Sequence, residues 1–198
     1  MLKKILLVVV ALVVVFVGVV MTRPATFEIK RSLQMNASPE VVAAQITNFK
    51  KWDAWSPWEK LDPSMKKTYD GVDDGVGAHY AWDSTNSNVG AGEMKITDVK
   101  PEKIGLDLHF MRPFEANNRI DFELAKTGEG TSVTWTMSGK NDFRGTAMSL
   151  FMNMDSMVGP DFEKGLASLK TASEAAQAAA AAAPPPADPA AAIDAGTP

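Results

Sequence analysis

From Ile5 to Met21 the chain reads ILLVVVALVVVFVGVVM, with no charged or strongly polar side chain, flanked by Lys3 and Lys4 on one side and Arg23 on the other. A helix of a water-soluble domain needs a polar face, and this segment has none. At about 1.5 Å per residue the run gives roughly 25 Å of helix, near the lower limit for crossing a bilayer core. A cleavable signal peptide needs small residues three and one positions before the cut. Gly18 with Val20 lacks the second, and Arg23 with Ala25 lacks the first. The pattern predicts an uncleaved membrane anchor within residues 1–25. The lysines favour a cytoplasmic N-terminus, so everything after Thr22 is expected outside the cytoplasm, in the periplasm if the source is bacterial.

Beyond the anchor the apolar period changes. Residues 27–35 (FEIKRSLQM) alternate, which places Phe27, Ile29, Leu33 and Met35 on one face of a strand. Ser38 followed by Pro39 predicts a helix start, with a short helix running to about Thr47. The stretch from Trp52 to Trp58 (WDAWSPW) follows no regular period and predicts a turn or irregular helix packed by its indoles. From Lys66 to Lys140, turn-forming clusters at Asp70-Gly71 to Gly75, Asn86 to Asn88, Lys100 to Glu102 and Gly128 to Gly130 divide an antiparallel meander. Its inward faces are Ala78, Tyr80 and Trp82; Met94 and Ile96; Leu106, Leu108 and Phe110; Ile120, Phe122 and Leu124; Val133, Trp135 and Met137. Met154, Val158, Phe162, Leu166 and Leu169 then recur at helical spacing, with Phe151 one position off the stripe. Gly159-Pro160 is expected to bend or briefly break that helix.

Composition narrows the picture. Of 198 residues, those between the anchor and the tail suffice for one domain with its own core, expected over 26–174. Residues 175–198 are alanine- and proline-rich; the alanines can extend the last helix until Pro184, and the remainder is expected to be disordered. There is no cysteine, hence no disulfide or thiolate chemistry. A net charge of -4 without a basic stripe makes nucleic acid an unexpected partner.

The motifs together resemble a known family. Asn48-Phe49 with Trp52, Trp55-Ser56-Pro57-Trp58, Leu61-Asp62-Pro63, Gly75-Val76-Gly77-Ala78, Val89-Gly90-Ala91-Gly92, Pro113-Phe114-Glu115-Ala116-Asn117, Val133-Thr134-Trp135 and the closing LFMNMDSMVGPDFEKGLASLK are similar to the START-related helix-grip superfamily (SRPBCC), in particular its bacterial polyketide cyclase/dehydrase-type members. The resemblance spans about residues 26–172. It implies an α+β helix-grip fold: a curved seven-stranded antiparallel sheet around a long C-terminal helix, enclosing an apolar cavity.

That cavity would be lined by Tyr80, Trp82, Leu108, Phe110, Phe122, Trp135, Met154, Val158 and Phe162, with Met148, Met152 and Met157 as adaptable neighbours. Core packing alone explains the same periodicity. Trp52, Trp55 and Trp58 form either a rim over the cavity or a structural cluster sealing one end of the sheet. Arg31 alternates onto the inward face, where it needs a carboxylate such as Glu115 or Asp121, or an anionic group of a ligand. Asn118 is the second polar candidate. His79 and His109 point away from the apolar face and read as surface residues, and Asp70, Asp73 and Asp74 as a solvated turn. Gly75-Val76-Gly77 and Gly90-Ala91-Gly92 lack the context of dinucleotide-binding loops and read as bends or bulges. No metal or other cofactor is expected, and no nucleophile stands in motif spacing with a base.

The expected function is a membrane-tethered module binding a small apolar or amphipathic ligand, a lipid or an aromatic, polyketide-like molecule. The alternatives are a cyclase or dehydratase using Tyr80, Arg31 or Asn118, and an envelope protein-interaction domain.

Overall fold

The computed structural model describes residues 1–183. Helix α1 (Leu2–Met21) is followed by β1 (Thr26–Met35), α2 (Pro39–Ile46), α3 (Trp52–Trp55), β2 (Lys66–Asp70), β3 (His79–Asp83), β4 (Ala91–Lys100), β5 (Lys103–Arg112), β6 (Ala116–Thr127), β7 (Gly130–Lys140), α4 (Phe143–Met148) and α5 (Met154–Ala182). The helix α1 is long and apolar enough to cross a membrane, and nearly all of it is exposed. Only Val17 and Val20, one turn apart, are shielded.

The strands form one antiparallel seven-stranded sheet in the order β1-β7-β6-β5-β4-β3-β2. Apart from β1, neighbours in sequence are neighbours in space, which is what short turns between alternating segments dictate. The first strand closes the far edge against β7, Ile29 opposite Met137 and Leu33 opposite Val133. Alternation sends Ile104, Leu106, Ile120, Phe122, Leu124, Val133 and Trp135 inward, all at most 3% exposed. Their faces meet α5, which also packs on β1, α2 and α3.

Local chemistry sets the element ends. The Ser38 side chain caps α2 by accepting from Val41 N, with Pro39 in the first turn. Asn153 caps α5 through the amides of Asp155 and Ser156.

The expected interruption at Gly159-Pro160 does not break the helix, which is continuous from Met154 to Ala182. The steric bar that a proline places on its predecessor acts partly through that residue's Cβ, which Gly159 lacks. At its other end α5 passes the expected domain boundary at 174. Glu174 and Gln177 accept hydrogen bonds from Asn36 N (2.8 Å) and Ser38 N (3.1 Å), and the alanines continue the helix to Ala182. The disordered tail expected after Pro184 lies outside the described residues.

Candidate functional site

The space between sheet and α5 is divided into a filled end and an open end. At the filled end Trp55 and Trp135 are fully buried, and Phe122, Phe162 and Trp52 are at most 2% exposed. Phe162 stacks on Trp135 with ring centres 4.2 Å apart and planes at 16°. Trp55 meets Trp135 and Phe122 edge-on at 5.7 and 6.2 Å, and Trp58 meets Trp135 and Phe162 edge-on at 5.8 and 6.1 Å. Two indole nitrogens are tied to the backbone: Trp52 Nε1 donates to Ile46 O (2.9 Å) and Trp55 Nε1 to Gln45 O (3.1 Å). The cluster is a plug, with Trp58 alone half-exposed among the three indoles of the WDAWSPW stretch. Tyr80 and Trp82 continue the aromatic layer along β3, stacked at 5.8 Å, and Phe110 meets Trp82 edge-on at 5.9 Å.

The open end lies where β1 begins, β7 ends and α4 leads into α5. A cleft there is lined on the inner side by Phe27, Ile29, Leu108, Asn118, Gly139, Met148, Met154 and Met157. Its lining continues around the strand ends to outer-face residues such as Glu93, His109 and Arg119. Both sides together bound one broad, half-open concavity of about 2310 Å³, more than a single small-ligand site, and its inner part is the methionine-rich one. Of the residues named from sequence, Leu108, Met154 and Asn118 are on this cleft, together with the neighbours Met148, Met152 and Met157. Tyr80, Trp82, Phe110, Phe122, Trp135, Val158 and Phe162 are not on it.

Asn118 is the one polar inner-face group here with unused capacity, since its Oδ1 is buried without a hydrogen-bond partner. It sits opposite Gly139 on β7. A Cβ at position 139 would lie 2.2 Å from that oxygen and 2.9 Å from the Phe27 ring, so only glycine leaves room for both. Sequence reasoning missed Gly139, although a glycine ending the inward series Val133, Trp135, Met137 is a readable sign of space made for a neighbour.

Arg31 is fully engaged, and its partners are not the Glu115 or Asp121 expected from sequence. It donates from Nη1 and Nη2 to Asp155 (2.8 and 3.0 Å) and from Nε to Glu163 (2.8 Å). These acids stand about two turns apart on α5, which the strand alternation of β1 cannot reveal. The guanidinium lies across Gly159, where a Cβ would come within 2.0 Å of Nη2. The bonds to Asp155 and Glu163 raise the Arg31 pKa above its ordinary value, and Arg31 in turn holds the Asp155 carboxyl below the usual range. Glu115 contacts His109, and Asp121 pairs with Arg119 and Lys103.

Tyr80 is likewise committed. Its hydroxyl donates to Glu59 Oε1 at 2.7 Å, and Glu59 is paired with Lys67, which also reaches Asp53 (2.7 Å). Burial first, and then the Glu59 carboxylate, push the Tyr80 pKa well up. For Lys67, burial works against the charge but the bonds to Asp53 and Glu59 prevail and raise it. A phenol so placed is a poor proton donor to anything in the cleft.

On the outer face His79 and His109 flank Glu93, with N···O distances of 3.3 and 3.5 Å, and His79 also approaches Asp70. Both rings are half-buried. Asp73 pairs with Lys50 at the surface. Among the described residues no group of acids and histidines is arranged to hold a metal ion.

Residues 26–174 match the family described as polyketide cyclase / dehydrase and lipid transport. The chain belongs to that family. Its domain is the helix-grip domain that its motifs resemble. No curated protein matches the sequence. Among solved structures, the Aha1 dimer from Colwellia psychrerythraea is 18% identical, with a TM-score of 0.54 over 76% of this chain and 98% of that one. Protein MLL2253 from Mesorhizobium loti is 15% identical, with a TM-score of 0.53 over 74% and 96%. The di-domain ARO/CYC StfQ from the steffimycin biosynthetic pathway is 10% identical, with a TM-score of 0.54 over 80% of this chain and 53% of that one. At such identities the likeness is one of fold.

Proposed function

We propose that this family member binds a small apolar or amphipathic molecule, a lipid or an aromatic, polyketide-like compound, in the inner cleft at the open end of the grip. The carrying observation is the pairing of a methionine-rich apolar lining with one buried, unpartnered acceptor, Asn118 Oδ1. Flexible thioethers adapt to ligands of varied shape, and a single polar atom orients a ligand hydroxyl or acid proton. Leu108, Met154 and Asn118 make direct contact in this reading. The aromatic candidates from Tyr80 to Phe162 and the indoles at 52, 55 and 58 form the packed floor that holds the cleft open. Arg31 fixes α5 beside it. The helix α1 tethers the domain to a membrane, with the cleft on the extracytoplasmic side.

The cyclase or dehydratase reading finds less support, because two of its three chemical groups, Tyr80 and Arg31, are committed elsewhere and only Asn118 reaches the cleft.

Photolabelling of the full-length protein in nanodiscs with a diazirine-bearing fatty acid tests the proposal. Label is expected on the strand of Leu108 and on Met154 or Met157, and it is lost in Asn118→Leu. Label confined to residues 2–21, or unchanged in Asn118→Leu, sinks it.

A further inference from the structure

The inner cleft is lined by Met148, Met154 and Met157, yet it does not account for how much apolar surface surrounds its mouth. Phe143 is 54% exposed, Met148 47%, Phe151 80%, Met152 43% and Met157 54%. They lie within one short segment, whereas Leu61, Val72, Val76 and Val99 elsewhere on the domain are scattered singly. Isolated exposed apolar residues need no explanation, but a contiguous set of large flexible ones marks an interaction surface.

Its position indicates the partner. The helix α4 packs against α1, and the shielded positions of α1 are Val17 and Val20. Val17 is four residues before Met21, so the contact reaches about 6 Å back along the apolar helix from its end. Phe114, 73% exposed at the β5–β6 hairpin, lines the same concavity as Arg23 and Pro24, the residues that immediately follow α1. Exposed Arg23, Lys140 and Arg144 border it. Of the acids nearest the segment, Asp142 caps α4, where it accepts from Gly145 N at 2.7 Å, Asp155 is paired with Arg31, and exposed Glu115 approaches His109 on the outer face. Aromatic and thioether side chains at the level of a helix end, with cations beside them, are the composition of a segment resting in the bilayer interface.

We infer that residues 143–157, with Phe114 beside them, are a second membrane contact that dips into the headgroup and upper acyl region, so that the mouth of the cleft opens directly onto the lipid surface. This rests on the reading of α1 as a membrane-spanning tether. A ligand then enters sideways from the bilayer without crossing water.

The cysteine-free sequence allows single-cysteine probes without removing any native residue's thiol. An environment-sensitive NBD label is placed by Phe151→Cys at the segment, by Val10→Cys in α1 and by Glu129→Cys in the exposed β6–β7 turn. Each full-length protein is reconstituted in vesicles of phosphatidylcholine and phosphatidylglycerol carrying nitroxide lipids. The label at 151 is expected to shift to the blue and lose fluorescence to headgroup-proximal nitroxides. The label at 10 responds to deep ones and the label at 129 to neither. If position 10 is quenched while position 151 is as aqueous as 129, the second contact is overturned and the tether stands. An unquenched position 10 overturns the tether and this inference with it. A blue-shifted label at 151 that no lipid nitroxide quenches means that a protein surface, such as a second copy of the chain, covers the segment, which also overturns it.

Discussion

Phe162→Ala discriminates between a packed core and a ligand chamber beneath the middle of α5. Phe162 is 1% exposed, stacked on Trp135 at 4.2 Å and touched edge-on by Trp58. Removing a buried aromatic ring costs its transfer free energy plus the cavity left behind, typically about 3–5 kcal/mol. Alanine's better helix propensity returns about 0.5 kcal/mol. The neighbours here are large rings held by their own contacts, so little collapse into the hole is expected and the net loss should be about 3–4 kcal/mol. Against the stability of about 5–15 kcal/mol usual for a domain, that is a large fraction. Urea unfolding of the full-length protein in nanodiscs, followed by tryptophan fluorescence, should show a lowered midpoint with an unchanged slope. For a domain of this size the melting temperature should fall by roughly 6–16 °C. A loss below about 1 kcal/mol would refute the reasoning, because it would mean that the ring borders empty or ligand-filled space and not a close-packed plug.

Tyr80→Phe should destabilise by about 1–3 kcal/mol, since it leaves a buried Glu59 oxygen without its donor, while photolabelling of the cleft stays unchanged; equal loss of both would return Tyr80 to the site. The clamp on α5 has a defined pH signature. Arg31 depresses the Asp155 pKa, so the stabilisation is complete above the unfolded carboxyl value near 3.9 and is lost as pH falls through the lower folded value. The stability gap between wild type and Arg31→Met should therefore be constant from about pH 5 to 7 and shrink below about pH 4. A gap that widens on acidification would contradict it.

The fold was legible because β1, β6 and β7 alternate cleanly, because β3 to β5 keep enough of the period despite register shifts at Ala91/Gly92 and Ile96/Asp98, and because α5 carries a five-residue apolar stripe at helical spacing. Periodicity reports which face is covered, and the paired register of Phe122 with Trp135 bears that out. It does not report what covers a face. The indoles of 52, 55 and 58 and the aromatics of β3, β6 and β7 belong to segments far apart in sequence, so their closure into one plug depended on how α3 docks. Arg31 shows the same limit. Its inward placement was readable from β1, but its acids lie on α5, more than a hundred residues away. Asn118 was readable because it precedes Ile120 and Phe122 on the same face. That its carbonyl oxygen lacks a partner needed three strands and α5 in place.

The two halves of α5 are secured by different physics. From Phe162 onward the helix is pressed down by Leu166 and Leu169 and stitched to the β1–α2 turn through Glu174 and Gln177. From Met154 to Pro160 only Gly159 is buried, and the Arg31 bonds are the main fastening. The helix is thus a cantilever, rooted in the aromatic plug and overhanging the cleft. Contacts of that kind give local opening energies that rise along the helix, lowest at its first turns. Bending of the overhang would change the space above Asn118 while the plug stays shut, so that under the proposed binding role the site would admit guests of different girth at no expense to the core that keeps the domain folded.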